Sequence, residues 1–230
     1  VVPTVVTFGA LVVSAALWKK WREAARAEHI RRYVLPKGRF DKLRKTHPQL
    51  TLKDGQLVGQ ALRQEVLAYF KGGRKYVSMP SRVTDDLWHE LILYTRTYQG
   101  FCGKAFGKFL HHTPAVALGS KKLENEGLRR VWRLACREEN IDPRKPTRLP
   151  LLFAIDAKLG IEGGFRYVAD AAALPHGKDH DSDAGEVFYT SDFSSADFDG
   201  GTDGFSDSSF SPDGGDGGGG DGCGGGCGGD

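Results

Sequence analysis

The stretch SMPSRVTDDLWHELILYTRTYQGFC and the LHHTP that follows it carry five side chains able to hold a metal ion or move a proton: Asp85, His89, Cys102, His111 and His112. Asp85 and His89 stand four residues apart, so on a helix they share one face. The other three follow within about one helix and a turn, and Gly100 and Gly103 let the chain reverse and bring FLHH alongside. Imidazole, thiolate and carboxylate are all ligands for zinc or another divalent metal. A zinc-protease reading fails on spacing. The His-Glu pair of that motif needs a second His four residues after the first, and that position is Leu93.

Two readings of the cluster stand side by side. In the first, Asp85 simply fixes the His89 ring, and Cys102 is a small buried hydrophobe near Phe101 and Phe106. The His pair ahead of Thr113-Pro114 then closes a helix whose dipole favours a protonated imidazole. In the second, the same groups converge on a metal ion or another ligand. No residue is assigned a catalytic role. A Cys102 nucleophile with a His base has no local signature to support it.

The elements that must position these groups read as helices. TLKDGQLVGQALRQEVLAYFKGG places Leu57, Ala61, Leu62, Val66, Leu67 and Phe70 near helical spacing and ends at Gly72-Gly73. Ser81 is an N-cap, with Asp85 and Asp86 in the first turns where the macrodipole favours them. The helix it starts runs through Leu87, Leu91, Leu93, Tyr94 and Tyr98, and GFCGKAFGKFL continues as a glycine-spaced helix or turn. A short helix in FDKLRKTHPQL precedes this region. An amphipathic segment with Leu123, Leu128, Val131, Trp132, Leu134 and Ala135 on its inner side follows it, and LPLLFAIDAKLGI is a last short helix. Nothing alternates with period two over a useful length. The expected fold class is all-α: a small helical domain of five or six helices over residues 36–174.

The run MPSRVTDDLWHELILYTRTYQGFCGKAFGKFLHHTP resembles a bacterial form of the glycine-rich domain-containing protein family. The likeness rests on Asp85 with Trp88-His89, then Tyr98, Cys102 and Gly107, then Leu110-His111-His112, and covers roughly residues 57–132. It implies the helical domain and the His/Cys cluster, and no reaction. Plant members of that family have a WH-x-H-like variation where this chain has Trp88-His89-Glu90-Leu91.

Charge and composition divide the chain. Residues 175–230 carry twelve Asp and one Glu against one Lys, a net −12 that leaves +15 on the remainder of a chain totalling +3. At the other end, residues 1–18 contain no charge, near the minimum for a membrane-spanning helix. Lys19, Lys20, Arg22, Arg26, Arg31 and Arg32 follow directly, and Trp18 and Trp21 sit where headgroups would be. Positive flanks stay in the cytoplasm. The expectation is a transmembrane anchor over 1–18 and a basic juxtamembrane helix over 19–35. The chain would be a single-pass protein of the inner membrane with its body in the cytoplasm. A cleaved signal peptide, with VSA at 13–15 as the small-residue site, is the competing reading, and the basic run behind it opposes export.

From residue 175 the acidic, Ser/Gly-rich sequence buries too little apolar area to offset its ordering entropy, which predicts a disordered Gly/Asp-rich tail. Its spaced Phe188, Phe193, Phe198, Phe205 and Phe210 can act as stickers for a protein partner. Cys223 and Cys227 form C-x₃-C, too few ligands for a closed zinc site in one chain. The expected function is a membrane-anchored helical interaction or scaffold protein, with a metal-binding or thiol enzyme as the alternative. The expected partners are the lipid bilayer and a protein recruited by the tail. Nucleic acid is not expected, because much of the excess basic charge lies beside the membrane, where lipid accounts for it.

Overall fold

The computed structural model describes residues 2–36, 38–112, 121–169 and 187–190. Its elements are α1 (Val2–Arg31), α2 (Gly38–Thr46), α3 (Leu52–Lys71), α4 (Arg82–Ile92), α5 (Thr95–Phe106), α6 (Lys121–Glu138), α7 (Leu151–Lys158), β1 (Arg166–Val168) and β2 (Val187–Tyr189). The described chain is therefore helical, as expected, with one small exception. β1 and β2 pair in parallel, Tyr167 opposite Phe188. The expected boundary at 174 does not hold for this piece. Phe188, read as a free sticker, instead stacks on Tyr167 at 5.4 Å. Cys223, Cys227, the other tail phenylalanines and most of the expected disordered tail lie outside the described residues.

α3 is the central helix. Thr51 and Asp54 close a capping box that satisfies two N–H groups reciprocally. The Asp54 N–H donates to the Thr51 hydroxyl at 3.2 Å, and the Thr51 N–H donates to the Asp54 carboxylate at 2.8 Å. The face of Val58, Ala61, Leu62, Val66 and Ala68 packs against α1, α4, α6 and α7. The helix comes close to its neighbours because two positions lack a side chain. A Cβ at Gly55 would lie 2.9 Å from Phe40, and one at Gly59 would lie 2.9 Å from Leu35. Across the core, Trp132 of α6 is fully buried and meets Phe153 of α7 edge to face at 5.1 Å. That ring geometry is favourable beyond the area it buries.

α1 is one unbroken helix, so anchor and basic stem are not separate elements. Its last turns belong to the body: Ala27 and Ile30 are buried, and Arg31 pairs with Glu138 of α6 at 3.1 Å. Residues 7–25 are exposed, including Phe8, Leu11, Leu17, Trp18 and Trp21. No helix among the described residues is long and apolar enough to cross a membrane, because the uncharged stretch gives way at Lys19 to a strongly basic one. The expected transmembrane span is corrected to that extent.

Candidate metal site

α4 is fixed at its N-terminus by α7. Ser81 is the N-cap, and its hydroxyl accepts from the Thr84 N–H at 3.2 Å. The Ser81 hydroxyl in turn donates to Asp156 at 2.7 Å. The same Asp156 carboxylate accepts from the N–H groups of Arg82 at 2.7 Å, Val83 at 3.2 Å and Phe165 at 3.0 Å. A carboxylate that accepts the first N–H groups of a helix satisfies donors that have no partner within it and complements the dipole. α4 is therefore held in rotation and in depth, which sets where Asp85 and His89 lie, about one and two turns on. From the other side His47 bonds Asp86 at 2.8 Å, joining the end of α2 to α4.

α4 does not run on to Tyr98. It stops at Leu93, and Tyr94 precedes α5 with its backbone outside the helical region. The reversal expected at Gly100 and Gly103 lies elsewhere too, since both sit inside α5. The chain turns at Gly107, whose φ is 77°. That is a left-handed value, which glycine adopts without strain. The loop beyond it then runs back along α4. Tyr98 pins it there: its hydroxyl donates to the Leu110 carbonyl at 2.7 Å and accepts from the Trp88 indole N–H at 3.2 Å. The His112 ring comes to rest 4.7 Å from Trp88 and 4.6 Å from His89.

Three of the five expected residues converge. One donor atom from each of Asp85, His89 and His112 lies within 4.8 Å of the other two. His89 Nδ1 is 3.5 Å from one Asp85 oxygen, and His112 Nε2 is 3.4 Å from the other. Ligands of one zinc ion sit about 3–3.5 Å apart, so closing on a metal needs a contraction of about an ångström. The other two residues are placed differently. His111 is exposed, its ring 4.8 Å from Phe109. Cys102 is fully buried near Tyr98 and Leu110, and burial pushes its thiol upward. That is away from the thiolate a ligand or nucleophile requires. Both leave the candidate ligand set, and the thiol-enzyme reading loses its nucleophile.

The electrostatics suit a cation. Burial raises the Asp85 carboxyl above its ordinary value, against the pull of His89 and His112, while Asp86 adds to the rise. Burial lowers His112, with Asp85 opposing that shift. The lowering favours the neutral imidazole that a metal needs. Asp85 and His112 line a cleft of about 640 Å³, whose walls include Tyr69, Trp88, Phe109 and Phe165, with Arg82 and Lys108 among its lining. One buried carboxylate of α3, the helix that packs on α4, is missed by the sequence reading. Glu65 is fully buried in α3, and the charge that acts on it is that of Asp85. Its signal is present in the chain: it falls on the face of Ala61, Leu62, Ala68 and Tyr69, all buried.

The fold and the cluster together define a helical protein with a His/carboxylate site at the edge of a cleft. The chain belongs to the UCP032817-like family, whose family model matches residues 25–192. That match begins where α1 first packs on the body and ends just past β2. No curated protein and no solved structure matches the chain.

Proposed function

We propose that the body is a divalent-metal-binding domain, with Asp85, His89 and His112 as ligands. The observation that carries the reading is the convergence of one donor atom from each of the three within 4.8 Å, beside a cleft that Asp85 and His112 line. Three protein ligands beside a cleft leave positions for water or a substrate, the arrangement of a reactive metal rather than of a closed structural one. The resemblance to glycine-rich domain-containing proteins joins this proposal, since it groups Asp85, His89 and His112 in one signature. The test is metal analysis of the purified full chain. Zinc, iron or manganese should be bound at one ion per chain and lost in His89→Ala and in His112→Ala. Retention of the ion in both variants would sink the reading.

A second reading concerns location, and a separate observation favours it. Residues 7–25 of α1 leave Phe8, Leu11, Val12, Val13, Leu17, Trp18 and Trp21 exposed, directly ahead of or among Lys19, Lys20 and Arg22. We infer that this half of α1 enters a lipid bilayer, with the indole rings and the basic side chains at the headgroups and the body on the cytoplasmic side. The metal domain would then work at the inner membrane, and the acidic tail would recruit a protein partner. Deleting residues 2–18 should release the chain from anionic vesicles in a flotation assay. Unchanged flotation would remove α1 as the anchor.

A further inference from the structure

The cleft beside the three ligands has a volume of about 640 Å³, the size that takes a small organic molecule. Its walls carry two chemistries. Met79, Phe109 and Phe165 line it, and each keeps part of its surface open. The Phe109 ring is 39% exposed and rests edge to face on Tyr98 at 5.2 Å. An apolar body laid against such walls removes apolar surface from water on both sides. The Arg and Lys of the lining are Arg82 and Lys108. Arg82 is held in place but not neutralised. Its Nη1 donates to the Gly163 carbonyl at 3.4 Å, and a Cβ at Gly163 would lie 2.9 Å from the same nitrogen, so the guanidinium seats where a side chain would otherwise stand. Asp85 and Asp86 follow Arg82 by three and four residues, the spacing at which a helix pairs opposite charges. Both are engaged elsewhere: Asp86 with His47 at 2.8 Å, and Asp85 with His89 and His112. Among the described residues no carboxylate pairs with Arg82 or with Lys108. A guanidinium with N–H donors to spare on the wall of a cleft is a fork shaped for a carboxylate. It stands one helical turn, about 5 Å along α4, before Asp85.

We propose that the cleft takes a small organic acid, a monocarboxylate with an apolar, aromatic body. Its carboxylate sits on Arg82, its ring lies against Phe109 and Phe165, and its far end points to the ion of Asp85, His89 and His112. The inference deepens the metal reading and rests on it for that far end. Charge sets the class of ligand. Asp85 and Asp86 line the same cleft, and beside two carboxylates a doubly charged phosphate is opposed more strongly than a single negative charge. Lys108, from the loop after α5, adds a second positive charge that draws an anion in. The apolar walls then select among acids, since a bare small anion leaves Met79, Phe109 and Phe165 uncovered.

The probe is hydrocinnamate, a phenyl ring joined to a carboxylate through two methylenes. The full chain carries Cys223→Ser and Cys227→Ser throughout, so that tail thiols hold no metal. Binding is measured first by calorimetry on the metal-free chain, where the acid has no ion to coordinate. Hydrocinnamate should bind and its neutral amide should not. Arg82→Met should lower the affinity about tenfold or more, the loss expected when a charge-assisted pair is removed. Arg82→Lys keeps the charge without the fork and should fall between. Arg82 is exposed, so both variants should unfold at the unaltered midpoint. Cobalt(II) is then loaded, and paramagnetic relaxation of the probe's protons is read by NMR. The ring protons should relax faster than the methylene next to the carboxylate. Failure of the metal-free chain to bind the acid, an affinity unchanged in Arg82→Met, or tighter binding of inorganic phosphate than of the acid would each overturn the proposal. Fastest relaxation at that methylene would put the carboxylate on the ion and overturn the assignment to Arg82. A chain that takes up no cobalt yet binds the acid through Arg82 would take down the metal reading alone and leave the acid site standing.

Discussion

Asp156 and Glu65 are buried to the same degree, 2% and 1% exposed, and their surroundings are opposite. Asp156 accepts from one hydroxyl and three backbone N–H groups. Glu65 accepts from none. Burial alone therefore does not say what a charged side chain is for. Where every lone pair has a donor, the carboxylate is a structural device, here the clamp that sets α4 on α7. Where none has, burial is a cost that no hydrogen bond offsets.

The sharpest way to break this comparison is to remove each carboxylate in turn. Asp156→Ala leaves the Ser81 hydroxyl and three N–H groups without their acceptor at the buried start of α4. The expected loss is about 5 kcal/mol, measured by denaturant unfolding of the metal-free chain. Glu65→Met in the same assay should be neutral or stabilising. Equal losses in the two variants would show that Glu65 has a structural partner after all.

Next in size is the packing that joins the two regions. Trp88 is 6% exposed and stands between Tyr98 and His112. Trp88→Ala should cost about 3–5 kcal/mol, from lost burial plus the cavity left behind. A loss under about 1 kcal/mol in the same unfolding assay would show the indole to be a ligand-facing group rather than a core one.

Tyr98→Phe is a finer cut through the same junction. It deletes the one oxygen that ties the Trp88 indole and the Leu110 carbonyl together. The expected stability loss is about 1–2 kcal/mol, since one carbonyl and one indole N–H lose their partner. If Tyr98 positions the His112 loop, zinc affinity should fall several-fold more than the stability loss alone explains, and Tyr98→Leu should behave no better. A variant that loses stability but keeps full zinc affinity would make Tyr98 a packing residue only.

The two regions also differ in how far they can be read from the chain. Ser81 as N-cap, the α3 helix and the Asp85–His89 pair are legible, because each depends on residues close to one another in sequence. The clamp is not, because Asp156 lies 75 residues from Ser81 and its sequence context, FAIDAKL, is that of any short helix. Sequence reasoning puts the reversal at Gly100 and Gly103 rather than Gly107. Gly100, Gly103 and Gly107 are all glycines within eight residues, and only the tertiary path decides which one takes a positive φ. Proximity in sequence groups Cys102 and His111 with the site. The helical phase of α5 and the loop after Gly107 send one into the core and the other to the surface. β2 escapes notice because three residues cannot display a period, and its partner supplies the pattern.

The smallest effect at acid pH, and one that grows, belongs to Glu65 itself. Burial holds its carboxyl well above the ordinary carboxylate range, and the Asp85 charge raises it further. The folded state then retains a proton that the unfolded chain gives up near its usual value. A raised group of this kind contributes stability that is fully present below the unfolded value and is lost as pH rises through the folded one. Glu65→Gln cannot ionise, so it escapes that loss. In the metal-free chain the unaltered protein and Glu65→Gln should unfold at nearly the same midpoint at pH 4. The variant should pull ahead steadily as pH rises toward 8. Parallel stability curves from pH 4 to 8 would mean that Glu65 is charged and paired when folded, and the contrast with Asp156 would disappear.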